Sequence, residues 1–150
     1  MFTVEELEER LIDLSFAEDI GDGDHTTLCC IPSDAMGKSQ LIIKEDGVLA
    51  GIEVAKKVFK CFDPEMQVEV FINDGAKVKK GDVAMVVTGR VRSLLQTERL
   101  MLNIMQRMSG IATMTSKYVE RLEGTKTRVL DTRKTTPGMR MLEKQAVKIG

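Results

Sequence analysis

Apolar residues recur at helical spacing from the start of the chain. Val4, Leu7, Leu11 and Leu14 follow a Thr3/Glu6 pair spaced as a capping box, which predicts a helix from residue 4 to about residue 16. The Gly- and Asp-rich stretch DIGDGDHTT should break it. GKSQLIIKE at 37–45 suits a strand. Gly51 opens a second helix whose Val54, Val58, Phe59 and Phe62 share a face, and Asp63-Pro64 stops it. MQVEVFI alternates as a half-buried strand does, Asp74-Gly75 is a turn pair, and VAMVVTGRV reads as a further strand.

Residues 92 to about 122 are helical in character, with Leu95, Leu102, Met105 and Met108 as the expected buried positions. Ser109-Gly110 predicts a bend that divides the region into two consecutive helices. The small residues Ser109, Gly110, Ala112 and Thr113 point to close approach of another element rather than to nucleophilic chemistry. TRVLDT at 127–132 then reads as a short strand, RKTTPG as a loop, and MRMLEKQAVKI as a helix signalled by Thr136 before Pro137. Strand, loop and helix in that order form the repeating unit of parallel sheets and α/β barrels. One such unit has no ladder partner of its own, so the strand must join the earlier sheet or await the rest of a barrel.

Composition narrows the classes. The 43% hydrophobic and 30% charged residues are those of an ordinary globular protein, and no apolar run is long enough to span a bilayer. MFTVEELEER lacks the basic start and apolar core of an export signal, so a cytoplasmic protein is expected. Cys29, Cys30 and Cys61 form no C-x-x-C pair, which leaves packing as their expected role; the ten methionines should fill core and subunit contacts. A net charge of −1 argues against a broad nucleic-acid surface. Its distribution matters more: acidic residues crowd the first 24 positions, whereas Arg128, Arg133, Lys134, Arg140, Lys144 and Lys148 gather near the end.

Those cations mark the candidate chemistry. Arg133 and Lys134 follow the expected strand, Thr135 and Thr136 come next, and a helix N-terminus lies behind them, a combination suited to phosphate or carboxylate. A solvated turn explains the same Arg-Lys pair about equally well. His25, the one histidine, sits in the Gly-Asp loop and is given no catalytic role.

DTRKTTPGMRMLEKQAV at 131–147 closely resembles the signature of quinolinate phosphoribosyltransferases. AEDIGDGDHTT at 17–27 and ERLMLNIMQRMSGIATMT at 98–115 are similar to further segments of that family, and GVLAG at 47–51 is a shorter match. The resemblance implies transfer of phosphoribosyl from phosphoribosyl pyrophosphate to quinolinate with decarboxylation, giving nicotinate mononucleotide, pyrophosphate and carbon dioxide in NAD biosynthesis. It implies an α+β fold: an N-terminal α/β-sandwich domain over 1–112, followed over 113–150 by the first elements of a TIM-like α/β barrel that is incomplete at Gly150. The 150 residues alone are therefore expected to be inactive.

By the same resemblance Thr132, Arg133 and Lys134 line the substrate site, with Arg133 on a quinolinate carboxylate and Lys134 adding charge. Arg99 reaches the site of a neighbouring subunit, which implies a homodimer; taken alone, Arg99 would read as a helix-surface residue pairing with Glu98 or Gln96. Arg140 and Lys144, at i and i+4, could extend the positive field toward pyrophosphate, or simply form a solvated face. Magnesium is implied together with phosphoribosyl pyrophosphate, without clear ligands in 1–150. Two rivals stay open: a related pyrophosphorylase-like enzyme acting on another substrate, and a non-catalytic binding or assembly module, to which the carrier-like segment INDGAKVKKGDVAMVV lends support.

Overall fold

The computed structural model describes residues 2–150. Helix α1 (Val4–Ile20) begins with the expected capping box: Thr3 Oγ1 accepts from the Glu6 amide, and Glu6 accepts from the Thr3 amide at 2.7 Å. It runs further than expected, to a positive-φ cap at Gly21. Its inward face also differs. Val4, Leu7 and Leu14 are exposed, while Glu8 and Ile12 are buried. Glu8 is drawn in by Lys57, whose ammonium donates to it at 2.5 Å. The Gly-Asp stretch holds a short helix that the periodicity missed, α2 (His25–Cys30), capped by Asp24, whose side chain accepts from the Thr27 amide at 3.1 Å.

Three antiparallel strands form the main sheet in the order β1 (Met36–Ile42), β5 (Val83–Arg90), β3 (Gln67–Val70). Strand β5 is central and buries four successive residues, Ala84 to Val87, so both of its faces are covered. A second small ladder pairs β2 (Gly47–Val48) with β4 (Lys77–Val78). Helix α3 (Ile52–Phe62) buries Val54, Val58 and Phe59, as its periodicity predicts. The Asp74 side chain accepts from the Ile52 amide at 2.8 Å, so the turn pair also satisfies an open donor at the start of that helix.

Residues 92–122 do not divide into two helices. A single helix, α4 (Val91–Arg121), runs through Ser109-Gly110 and through position 112. The hydroxyls explain why no break is needed. Ser109 accepts from the Ala50 amide at 3.0 Å and Thr113 from the Val48 amide at 2.8 Å, so the small residues bring β2 against the helix without interrupting it. The expected close approach is met at Ser109, Ala112 and Thr113, whereas Gly110 faces open space. Met105 and Met108 are buried as expected; Leu95 is exposed and Leu102 only half-buried. Met85, Met101, Met105 and Met108 serve the core, but all three cysteines are exposed and free rather than packed.

No strand forms at 127–132. The stretch 125–134 is exposed irregular chain in which Leu130 is 90% exposed, as a parallel strand without a neighbour must be. Among the described residues no helix is long and apolar enough to cross a membrane.

The end of α3 is bound to the start of α4 by Asp63. Its carboxylate accepts from Arg90 at 3.1 and 3.2 Å, from the Ser93 hydroxyl at 2.6 Å and from the Glu65 amide at 3.1 Å. Arg90 first, then Ser93, outweigh burial and hold the carboxyl at about 2, below its ordinary 3.8. A depressed pKa contributes stability above the unfolded value that is lost as pH falls through the folded one. Asp63→Asn is therefore expected to cost on the order of 2 kcal/mol at pH 7, and the gap to the parent should close between pH 3.8 and about 2. Urea unfolding at pH 7, 4 and 3 measures it. A gap independent of pH would contradict this role.

Candidate anion-binding loop

The basic loop lies between the exposed stretch and α5 (Arg140–Ile149). Thr136 does not cap that helix. Thr136-Pro137-Gly138-Met139 is instead a turn in which the Met139 amide donates to the Thr136 carbonyl at 3.0 Å and Gly138 takes φ +80°. Proline followed by a left-handed glycine suits such a turn, and it delays the helix to Arg140.

Behind the turn, α5 holds the loop residue by residue. Arg140 donates to the Thr135 hydroxyl at 3.0 Å and to the Arg133 carbonyl at 3.1 Å. Lys144 meets Asp131 at 2.7 Å. Both helix cations expected to extend a field toward pyrophosphate thus have partners within the loop, and their observed work is to hold it. Within the loop the Lys134 amide donates to Thr132 Oγ1 at 3.1 Å and the Thr135 amide to the Arg133 carbonyl at 3.0 Å. Consecutive tight bonds of this kind set the directions in which residues 133 and 134 leave the chain.

Arg133 and Lys134 differ in this from Arg140 and Lys144. Among the described residues neither side chain has an ion-pair or hydrogen-bond partner, although Asp131 and Glu143 are close in the chain and already taken. Two adjacent unpaired cations over a braced backbone can receive an anion, the arginine with a two-pronged grip and the lysine as a point charge.

Glu143 lies inside this arrangement. Its carboxylate is 10% exposed; it accepts from Arg107 of α4 through both Nε, at 2.7 Å, and Nη2, and from the Thr136 amide at 3.3 Å. Burial acts to raise its pKa, but the hydrogen bonds from Arg107 and Thr136 outweigh that and hold it below the ordinary value. Arg107 and Glu143 were not among the residues singled out from the sequence. Each looks like an ordinary surface charge on an amphipathic helix until the two helices are packed together.

Arg99 lies elsewhere on α4, 74% exposed, with Nε 3.3 Å from Asp19 at the end of α1. Its partner is thus neither Glu98 nor Gln96. It lines a cavity of about 710 Å³ together with Asp24, His25, Asn103 and Gln106. A second cavity of about 810 Å³ lies between the β1–β2 segment and α4, lined by Leu41, Ile43, Met105, Ser109 and Met114. The loop cations line neither of these two cavities.

Residues 24–109 match the family-wide pattern of the quinolinate phosphoribosyl transferase N-terminal domain, and residues 111–150 match that of its C-terminal domain. The chain belongs to the quinolinate phosphoribosyltransferase family. It is 47% identical over 143 residues to a chloroplastic nicotinate-nucleotide pyrophosphorylase [carboxylating] of Oryza sativa subsp. japonica, covering 95% of this chain and 38% of the relative. A probable nicotinate-nucleotide pyrophosphorylase [carboxylating] of Bacillus subtilis is 39% identical over 95% of this chain and 49% of its own length. The crystal structure of NadC from Streptococcus pyogenes superposes on the whole chain with a TM-score of 0.92 at 39% identity, using 53% of that structure. The mixed α/β architecture is therefore that of this family, and the chain spans roughly half or less of each relative's length.

Among the described residues no three His, Cys, Asp or Glu side chains converge, and the two carboxylates next to the loop are engaged by Lys144 and Arg107.

Unpartnered charges carry little of the fold. Arg133→Met and Lys134→Met should each change the unfolding free energy by no more than about 0.5 kcal/mol, measured by urea titration of the 150-residue chain. A loss of about 2 kcal/mol or more would show that these cations are bound into the structure.

Proposed function

We propose that, in a protein that completes the barrel, this chain serves quinolinate phosphoribosyl transfer: quinolinate and phosphoribosyl pyrophosphate give nicotinate mononucleotide, pyrophosphate and carbon dioxide. The observation that carries the reading is the pair of unpartnered cations, Arg133 and Lys134, on a loop braced from behind by α5. Both substrates are polyanions, and a site that strips water from carboxylates and phosphates needs fixed cations to replace it. In this reading Arg133 grips a quinolinate carboxylate, Lys134 adds charge, and Thr132 holds the loop through its bond to the Lys134 amide. Residues 1–112 act as the substrate-sharing and dimerisation domain and 113–150 open the barrel.

The reaction needs mainly placement. The ring nitrogen bonds to the ribose anomeric carbon as pyrophosphate leaves through an oxocarbenium-like state, and fixed positive charge stabilises the departing anion. Carbon dioxide is then lost from the carbon next to the quaternised nitrogen. The ring accepts the bonding electrons, and a proton replaces the carboxylate. Magnesium would arrive on the phosphates of phosphoribosyl pyrophosphate rather than on these residues.

A homodimer belongs to the proposal. Arg99 is largely exposed and lines a cavity that Arg133 does not reach, which favours its delivery into a neighbouring subunit's site, with two equivalent sites about a two-fold axis. The carrier-module rival has less support: the INDGAKVKKGDVAMVV segment is built into β4, β5 and the turn that caps α3.

The test joins residues 1–150 to the barrel remainder of the Bacillus subtilis relative, hereafter the completed protein. Pyrophosphate and carbon dioxide should appear together only when both substrates are present, and the 150-residue chain alone should release neither. Arg99→Ala and Arg133→Ala should each abolish turnover. Equal mixing after subunit exchange should restore about a quarter of it, since half the dimers are mixed and each has one intact site. Mixed dimers that form without activity would end the shared-site reading.

Arg133→Lys keeps the charge and removes the fork. Quinolinate binding to the completed protein should weaken by about 2–5 kcal/mol and phosphoribosyl pyrophosphate binding by less, both read by calorimetric titration. Unchanged quinolinate binding would return Arg133 to a solvated turn.

A further inference from the structure

Resting on the quinolinate reading of the loop, we infer that Arg107 is a positioning residue: from the middle of α4 it fixes Thr136, and through Thr136 the two cations, in the orientation that meets substrate. The bonding pattern carries this. A plain ion pair between packed helices would set both guanidinium prongs on both carboxylate oxygens. Arg107 does otherwise. Its Nε and Nη2 share Glu143 Oε1, and Nη2 also donates to the Thr136 hydroxyl at 2.6 Å. The second oxygen, Oε2, is left to accept from the Thr136 amide at 3.3 Å. Side chain and backbone of Thr136 are thus held by one ring of hydrogen bonds, two residues beyond Lys134.

This ring supplies the hydrogen bonds that tie the loop to α4. The remaining side-chain ties, from Arg140 and Lys144, come from α5 and would move with it. Upstream of the loop the chain is exposed from 125 to 134 and cannot position it. Helix α5 itself is seated on the core by Leu142 and Ala146, both buried, so its docking does not depend on Arg107. Removal of the ring should therefore free Thr136, where the loop turns into α5, and leave the helix packing and the Arg140 and Lys144 ties in place.

The decisive variant is the pair Arg107→Leu with Glu143→Leu, which removes both charges together and strands neither. Glu143 is buried and Arg107 is 45% exposed, so the substitution removes a half-exposed ion pair whose loss costs little once neither charge is left alone, and the pair should melt close to the parent. In the 150-residue chain, amide hydrogen exchange at Thr136, whose amide the ring holds, should become at least about tenfold faster while amides of β5 and α3 keep their rates. In the completed protein, kcat/KM for quinolinate should fall about 100-fold. Thr136→Ser, which keeps hydroxyl and amide, should behave as the parent, and Thr136→Val should show part of the loss. If the stable pair variant keeps the parent's loop exchange, or keeps its kcat/KM, Arg107 is only a helix-packing residue and the inference is overturned alone. A completed parent that never turns over quinolinate overturns the underlying reading, and this inference with it.

Discussion

Leu100, Met101, Ile104, Met105, Met108 and Ala112 form a continuous buried stripe on α4, and the other packed elements meet on or around that helix. The sheet, the β2 segment, α3 and α5 all contact it, and α1 and α2 reach it as well. Fully burying a side chain of this size contributes about 1.5–3 kcal/mol, so the stripe outweighs any single polar contact in the molecule. It also sets the frame for the polar contacts. Arg92, Arg99 and Arg107 leave the helix toward the Leu28 and Ile31 carbonyls, Asp19 and Glu143 respectively, and Arg90, at the end of β5 where the helix begins, reaches Asp63. A helix that is rigid through apolar packing can hold such charges at fixed separations, as the proposed sharing between two sites requires.

Tight approach is achieved on this helix with hydroxyls as well as with small side chains. Ser109 and Thr113 present acceptors to the backbone of residues 48 and 50, and Gly47 lies so close to Thr113 that an added Cβ would come within 2.6 Å of its hydroxyl. The β2 ladder has only two residues on each strand and would otherwise leave amides open. The helix therefore completes the hydrogen bonding of the sheet as well as its apolar packing.

Local signals in the sequence were reliable wherever the physics is local. The Thr3/Glu6 box, the Asp63-Pro64 stop, the Val54/Val58/Phe59 face and the strands around Gln40, Val68 and Val86 all follow from nearest-neighbour chemistry. Misreadings arose where a distant partner decided the outcome. Glu8 took an inward place on α1 because Lys57 awaited it, while Leu7 and Leu14 stayed outside and Leu11 packed against the core. Ser109-Gly110 read as a break because its hydrogen-bond partners lie about sixty residues away. The 127–132 strand needed neighbours that these residues do not supply. At the candidate site, Arg133 and Lys134 were legible as cations in a loop, and their surroundings were not: Thr136 looked like a cap, and Arg107 and Glu143 showed no distinguishing spacing.

The central claim is that unpaired cations on a braced loop, with an arginine from a second subunit, form one carboxylate-binding site. A crystal structure of the completed protein with quinolinate bound tests it most directly. The account predicts the ring carboxylates within about 3 Å of the Arg133 guanidinium, Lys134 beside them, and Arg99 of the partner subunit in contact with the same ligand. Quinolinate seated away from Arg133, or a site into which no partner arginine reaches, would contradict it.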